Sequence, residues 1–127
     1  MKIKGKIVRG IEESGKFLAV DWVNKAVREA FGFTPFPGTL NIDVTDPSIQ
    51  RRLIEQDAGR IHAANPGFCD AIIARGRINN RYDCGLIIPL VPNYPEQILE
   101  IVAAVHLKNA LGVEDGDEVE LELEESI

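Results

Sequence analysis

Several segments of the chain alternate apolar and polar residues with a period of two, which is typical of strands with one buried face. The clearest covers residues 39–44. Its apolar set, which would face the core, is Leu40, Ile42 and Val44. Its polar set, which would share the other face as a row of oxygen-bearing side chains, is Thr39, Asn41 and Asp43.

Shorter patterns predict further strands along the chain. They are a first segment ending at Gly10 and residues 17–20, 68–74, 82–88, 98–102 and 119–123. Asn79-Asn80 is a turn signal and predicts a hairpin between the two central strands. Cys69 would then pack in a core strand, and the glutamates of 118–124 would form a solvated row opposite Val119, Leu121 and Leu123.

Helical periodicity is confined to short stretches. One apolar stripe predicts a helix with Asp21 as its N-cap and Gly32 at its C-terminal end, and consists of Val23, Ala26, Val27, Ala30 and Phe31. Asp46-Pro47 opens a second helix, whose inner side would be Ile49, Leu53 and Ile54. A third surrounds Leu107, Ala110 and Leu111 and ends at Gly112. The fold class is therefore mainly β with short helices, in a small closed barrel that leaves no free sheet edge.

Length and composition are those of one globular domain covering residues 1–127. The chain has 45% hydrophobic and 27% charged residues, with a net charge of −6. An acidic chain is not expected to bind nucleic acid or an anionic membrane, since both require a basic surface. The sequence has no apolar run of membrane-spanning or signal-peptide length, so we expect a cytoplasmic protein. The oligomeric state stays open, and a monomer is compatible with the sequence.

Three features could carry chemistry. Thr39 and Asn41 present a hydroxyl and an amide oxygen on one strand face, and Mg²⁺ takes oxygen ligands, although spacing alone favours an ordinary polar strand face. The loop from Gly10 to Lys16 has two glycines and a lysine but is not a P-loop. Glu100 shares a face with two apolar residues, so it is either a partly buried functional carboxylate or an edge residue in water.

Taken together, these segments resemble the archaeal CTP-dependent riboflavin kinases, which adopt a cradle-loop barrel of six strands. The most specific likeness is the block Gly32-Phe33-x-Pro35-x-x-Gly38-Thr39-Leu40-Asn41. Tyr82-Asp83, Leu86 to Pro89, Leu99 to Ala103 and Asp115-Gly116-Asp117 extend it over the whole chain.

The resemblance implies a reaction and a set of site residues. The reaction would be phosphoryl transfer from CTP to the 5′-hydroxyl of riboflavin, giving FMN and CDP with Mg²⁺ held by Thr39 and Asn41. The implied nucleotide site is Gly10, Ile11, Glu12, Glu13, Ser14, Gly15 and Lys16 together with Val105, His106, Leu107 and Lys108. The implied flavin site is Pro92, Asn93, Tyr94 and Glu100. No general base is identified; Asp43 is a guess based on its strand face.

The chain departs from the family pattern at several of these positions. Glu12 and Ser14 replace glycines, Pro92 replaces a threonine, and Lys108 replaces an arginine, which removes a bidentate phosphate contact. Two other hypotheses therefore remain beside the kinase. The protein could phosphorylate a different small alcohol or use another nucleotide, or it could be a barrel that binds flavin or nucleotide without catalysis.

Overall fold

Antiparallel strand pairing determines the architecture of this protein. The computed structural model describes residues 1–9, 18 and 20–124. Its strands are β1 Lys2–Val8, β2 Leu40–Asp43, β3 Arg60–Ile61, β4 Ala71–Ile78, β5 Tyr82–Pro89, β6 Ile98–Val102 and β7 Glu118–Leu123. Its helices are α1 Asp21–Phe31, α2 Pro47–Gln56 and α3 Leu107–Leu111.

Six of these strands form a closed barrel, as predicted. They are hydrogen-bonded in the order β4-β5-β6-β2-β1-β7, and β7 pairs again with β4 through Gly76↔Leu123, Arg77↔Glu122 and Ile78↔Leu121. The two-residue β3 pairs with the first part of β4 outside this ring. Because β4 is long enough to contact three strands, the ring closes without an unpaired edge at this seam.

The barrel core confirms the predicted alternation in β2, because Leu40, Ile42 and Val44 are all buried. The same period of two directs every second side chain of each barrel strand towards the core. The most buried members of this core are Ile7, Ile42, Ile78, Leu86, Ile88, Leu99, Ile101 and Leu121.

A second apolar cluster lies on the outer face of the barrel, beneath α1. Val23 and Val27 of this helix pack with Ile87 of β5 and Val102 of β6. Since Leu86 and Ile88 face the core, Ile87 must face outward. Helix α1 therefore covers part of the outer face of β5 and β6 and leaves the rest of that face accessible.

The helix termini confirm three of the four predicted ends, including Gly112, which ends α3 with φ 66°. Asp46 caps α2 by accepting a hydrogen bond from the backbone N–H of Ser48 at 2.9 Å, and Gly32 ends α1 with φ 79°. Asp21, however, is the first helical residue of α1 and Val20 is its N-cap. The predicted cap was therefore wrong by one residue, and Asp21 acts only as an acidic residue in the first turn.

Strand boundaries differ from prediction at two places. Strand β4 begins at Ala71 instead of 68, because Phe68 donates its backbone N–H to Asn65 and thus belongs to a turn. Cys69 is consequently exposed in a loop, so its predicted core position was wrong. Of the strand expected at 17–20, Leu18 and Val20 are described, and neither is in a strand. The hairpin at Asn79-Asn80 is confirmed, with φ of 48° and 53°.

Among the described residues, no helix has the length and apolar character needed to cross a membrane.

Candidate functional site

Polar side chains meet on the outer face of the barrel where β2 begins beside β6. The hydroxyl of Thr39 donates a hydrogen bond to Oε1 of Glu100 at 3.0 Å, and Nδ2 of Asn41 donates to the Thr39 hydroxyl at 3.3 Å. Asn41 and Glu100 are also direct partners in the β2–β6 register. Asn41 is only 7% exposed, although β-sheet outer faces are usually solvated. The two predicted metal ligands are therefore close together and next to a carboxylate.

Local sequence explains why these groups are held in place. Pro35 and Pro37 restrict the approach to β2, and Gly38 adopts φ 110°, which side-chain-bearing residues rarely adopt. Phe36 donates its backbone N–H to Ala103 and thereby ties the approach to the residue after β6. Thr39 thus enters the strand at a defined position.

Glu100 has a hydrogen-bond donor on each carboxylate oxygen. The second donor is the phenol of Tyr94, 2.5 Å from Oε2. Burial, the adjacent negative charge of Glu100 and this hydrogen bond all raise the pKa of Tyr94. Tyr94 is therefore protonated at neutral pH and remains a donor. Of the two interpretations of Glu100, the half-buried carboxylate is the one that the geometry supports.

A cavity of about 430 Å³ opens on this cluster. Its polar residues include Thr39, Asn41, Glu100 and Arg9. The remainder of its lining is mostly apolar and includes Val8, Leu18, Phe68, Ala71, Ile87, Val91, Pro95 and Ile98. A cavity of this size, with an apolar wall and a few convergent polar groups, is typical of a site for a small organic ligand.

A second, smaller cavity of about 170 Å³ lies on the other side of Thr39. Its lining contains the four predicted nucleotide-binding residues of the C-terminal half together with the approach to β2: Phe36, Pro37, Gly38, Thr39, Leu40, Ile101, Ala103, Val105, His106, Leu107 and Lys108. Thr39 is thus common to both cavities. Tyr94 and Glu100 of the predicted flavin site line the larger cavity and residues 105–108 of the predicted nucleotide site line the smaller one, so these parts of the two predicted sites adjoin at Thr39.

Residues 105–108 are structured by the start of α3. Nδ1 of His106 accepts a hydrogen bond from the N–H of Asn109 at 3.3 Å and so caps the helix, and its ring lies edge-on to Phe36 with 5.0 Å between centroids. Lys108 forms an ion pair with Asp115 at 2.6 Å. The lysine is therefore the cationic group of the smaller cavity and has a counter-ion already in place.

The remaining predicted site residues fall into two groups. Pro92 and Asn93 do not line the larger cavity, whereas Tyr94 in the same loop does. Positions 10–16, which include the whole predicted phosphate loop, lie outside the described residues.

The donor set fits a hard divalent cation. Thr39, Asn41 and Glu100 supply oxygen atoms of three kinds, and such cations prefer oxygen. Within 1–9, 18 and 20–124, no group of three or more His, Cys, Asp or Glu side chains could hold a metal alone. A cation held here would thus need phosphate or water oxygens to complete its coordination, as Mg²⁺ usually does at nucleotide sites.

Two cavity-lining residues and one buried residue of α2 were missed in the sequence. Phe36 and Phe68 line the two cavities, and Gln50 is 4% exposed, with its Nε2 donating to the carbonyls of Pro95 and Ile98 at 2.9 and 2.8 Å. Gln50 lies three residues before Leu53, on the same helix face, and this spacing was the available signal. Phe36 carries no periodic signal because it lies in a loop, and Phe68 was interpreted as the start of a strand.

The fold is a closed antiparallel barrel, and two of its cavities share Thr39 as a lining residue. Comparison with known proteins then identifies the family. Residues 7–123 match the model of the CTP-dep_RFKase family, described as "Domain of unknown function DUF120", and the chain belongs to this family.

Curated relatives carry the name riboflavin kinase. The protein of Pyrobaculum arsenaticum is 33% identical over 97% of this chain and 60% of its own length. That of Saccharolobus solfataricus is 32% identical over 97% of this chain and 74% of its own. That of Methanothermobacter thermautotrophicus is 33% identical, over 92% of this chain and 94% of its own. The chain thus spans about 60% of the length of some of these relatives and nearly all of another.

Proposed function

We propose that this protein is a kinase that transfers the γ-phosphoryl group of CTP to the 5′-hydroxyl of riboflavin, with Mg²⁺ as its cofactor. The observation that carries the proposal is the position of Thr39, which lines both cavities and is hydrogen-bonded to Glu100. A phosphoryl group must pass between two bound substrates, so donor and acceptor sites have to meet at one point. The relatives named riboflavin kinase support the choice of acceptor.

The larger cavity is the proposed acceptor site. Its apolar wall suits a planar ring system, and its polar end at Glu100 and Thr39 suits a hydroxyl group. In the transfer, the 5′-oxygen forms a bond to the γ-phosphorus while the bond from that phosphorus to the β,γ-bridging oxygen breaks, leaving CDP. We assign Glu100 as the acceptor of the hydroxyl proton, because it is the carboxylate that lies at the junction.

The smaller cavity is the proposed site of part of the donor. At about 170 Å³ it is too small for a whole nucleoside triphosphate, so residues 10–16 are proposed as the rest of the site, as the family resemblance implies. Val105, His106 and Leu107 form one wall. Lys108 supplies positive charge for phosphate, and neutralising phosphate charge is the main task of an enzyme in this reaction.

Thr39 and Asn41 are the proposed protein ligands of Mg²⁺. The bound ion supplies charge neutralisation and alignment of the triphosphate. In this role the Thr39 hydroxyl would bind the ion through its oxygen while it donates its proton to Glu100. The Asn41 amide, whose Nδ2 donates to Thr39, would turn its oxygen to the ion.

The test is FMN formation from riboflavin with CTP, ATP, GTP or UTP and Mg²⁺, followed by chromatography. We expect turnover with CTP. Asn41→Ala and Thr39→Val should lower kcat by at least about 100-fold, the usual effect of removing a group that stabilises transition-state charge. Thr39→Ser keeps the hydroxyl and should retain most activity. Asn80→Gly, in a hairpin turn outside both cavities, is the matched control.

Other outcomes would contradict parts of the proposal. If folded protein forms no FMN with any of the four nucleotides, the kinase is rejected and binding without catalysis is the remaining hypothesis. Calorimetry with CDP and Mg²⁺ would detect binding of the nucleotide. Phosphorylation of a different alcohol, or from a nucleotide other than CTP, would show that the departures at Pro92 and Glu12 to Ser14 have changed the substrates. Equal activity of Thr39→Val and Thr39→Ser would show that the Thr39 hydroxyl has no role in the reaction.

A further inference from the structure

We propose that the loop between β3 and β4, residues 62–70, selects the acceptor, with Phe68 packing against the acceptor's aromatic ring system and Asp70 holding Phe68 in position. The identity of the ring as a flavin rests on the proposed function. The loop itself is a separate part of the site, because it lies outside the sequence blocks that carry the family resemblance.

The first observation is the place of this loop in the larger cavity. Gly67, Phe68 and Cys69 line it, and they face the cavity that Glu100 and Thr39 also line. The aromatic residues of the described lining are Phe68 and Tyr94. The phenol of Tyr94 is hydrogen-bonded to Glu100 and is therefore part of the polar end of the cavity. Phe68, in contrast, offers a ligand an entirely apolar ring.

The second observation is that the ring of Phe68 has a defined orientation. It packs edge-to-face against the indole of Trp22, with 5.3 Å between centroids and 81° between planes. Trp22 is in the first turn of α1, which is itself fixed on the barrel by Val23 and Val27. A partly buried ring held in this way is a preorganised stacking surface, and preorganisation reduces the entropy that binding must overcome.

The third observation is the closure of the loop by Asp70. Its Oδ1 accepts a hydrogen bond from the backbone N–H of Ala63 at 2.8 Å, and its Oδ2 accepts one from Nη1 of Arg60 at 3.0 Å. Arg60 is anchored in turn by Asp57 through hydrogen bonds of 3.1 and 3.2 Å. The hydrogen bond from Ala63, followed by the one from Arg60, holds the pKa of Asp70 below its ordinary value. The carboxylate thus closes residues 63–70 into a ring that includes Phe68.

The experiment measures riboflavin binding to the full chain without requiring turnover. Trp22 is the single tryptophan of the sequence and contacts Phe68, so quenching of its fluorescence reports a flavin in this cavity. Phe68→Leu keeps an apolar side chain but removes the ring and should raise the Kd for riboflavin about tenfold, the upper range for an aromatic pair. KM for CTP should stay unchanged and kcat should stay within twofold.

Asp70→Asn tests the positioning role through a double-mutant cycle. Alone, it should raise the Kd for riboflavin severalfold while Phe68 is present. Combined with Phe68→Leu, it should add little, because a residue that acts through Phe68 has no effect once that ring is gone. Asn65→Ala, an exposed change in the same loop but outside the cavity lining, is the control and should leave Kd unchanged. Thermal unfolding of each variant verifies that it is folded.

The outcomes separate this inference from the proposed kinase. Active protein in which Phe68→Leu binds riboflavin as tightly as wild type would overturn the role of Phe68. Strictly multiplicative effects of Phe68→Leu and Asp70→Asn would overturn the positioning role of Asp70. If wild type binds riboflavin but forms no FMN, and Phe68→Leu binds it more weakly, the role of the loop is supported while the kinase is rejected. Failure of wild type to bind riboflavin would overturn the inference as stated.

Discussion

Glu100 has both carboxylate oxygens hydrogen-bonded by hydroxyl groups, from Thr39 on one side and Tyr94 on the other. Hydrogen bonds to a charged group contribute about 1.5–3 kcal/mol each, more than those between neutral groups. They compensate for the partial loss of water around the carboxylate. The same arrangement keeps Tyr94 protonated, because its pKa is raised by burial and by the negative charge beside it.

The two cysteines should differ strongly in reactivity. Burial raises the pKa of Cys84 to about 12, so its thiolate is scarce at pH 8, whereas Cys69 is exposed in the lining of the larger cavity. We expect a thiol reagent at pH 8 to modify one cysteine quickly in native protein and two after unfolding. Mass spectrometry of the labelled protein checks this, with Cys69→Ser as the control that abolishes the fast reaction.

A ligand in the larger cavity should slow the labelling of Cys69. Fast labelling of Cys84 in folded protein would contradict the burial of that side chain.

Among the elements, α2 has a role beyond covering the core. Its residue Gln50 is buried and donates to the carbonyls of Pro95 and Ile98, which flank the end of the loop carrying Tyr94. The helix thereby connects the core side of the barrel to one wall of the larger cavity. Its own position is defined at the start by the Asp46 cap and by Pro47 in the first turn.

We predict that Gln50→Leu lowers the free energy of unfolding by about 1–3 kcal/mol, because the carbonyl of Ile98 loses this donor and that of Pro95 keeps only the N–H of Ile98 at 3.3 Å, while the side-chain volume is nearly kept. Urea unfolding measures this change, and riboflavin titration should show weaker binding as Tyr94 loses support. Gln56→Leu, an exposed change on the same helix, should stay within about 0.5 kcal/mol of wild type. Equal stability of the two variants would mean that the Gln50 hydrogen bonds contribute nothing net.

For the whole molecule, closure of the barrel depends on a close approach of β4 and β7. A Cβ at Gly76 would lie 2.5 Å from the backbone oxygen of Glu122, so the seam requires glycine at this point. The seam comprises three residue pairs, fewer than the neighbouring β4–β5 ladder, which has eight. The β1–β2 and β5–β6 ladders are equally short, so it is the close approach at Gly76 that makes this seam sensitive to a single substitution.

Gly76→Ala should destabilise the protein by about 1–3 kcal/mol, since the added methyl group meets backbone that must move. Thermal unfolding measures the loss, and amide exchange should increase first at Ile78 and Leu121, which pair across the seam. Gly67→Ala is the matched control, because nothing lies within 4 Å of its added Cβ. If both alanine variants unfold at the same temperature, the seam tolerates a wider spacing than the structure indicates.

The sequence predicted those parts of the fold that follow from local pattern. The period of two placed Leu40 and Ile42 in the core and Thr39 and Asn41 together on the other face, and the turn at Asn79-Asn80 was evident from residue type. The same reasoning misplaced Cys69, because a turn at Asn65, which takes the backbone N–H of Phe68, competes with strand pairing. Such competition depends on partners outside the segment, and local periodicity does not contain it.

By itself, then, the sequence determined which side chains could share a face, and with the family resemblance it predicted a class of chemistry. Only the tertiary structure decided that Thr39 lies between two cavities, that Glu100 reaches it from β6, that Phe68 lines the larger cavity and that Gln50 is bonded to the backbone of Pro95 and Ile98. The physical reason is that faces of a strand follow from backbone geometry over a few residues. The meeting of β2, β6 and two loops depends instead on how the barrel closes, which involves residues from both ends of the chain.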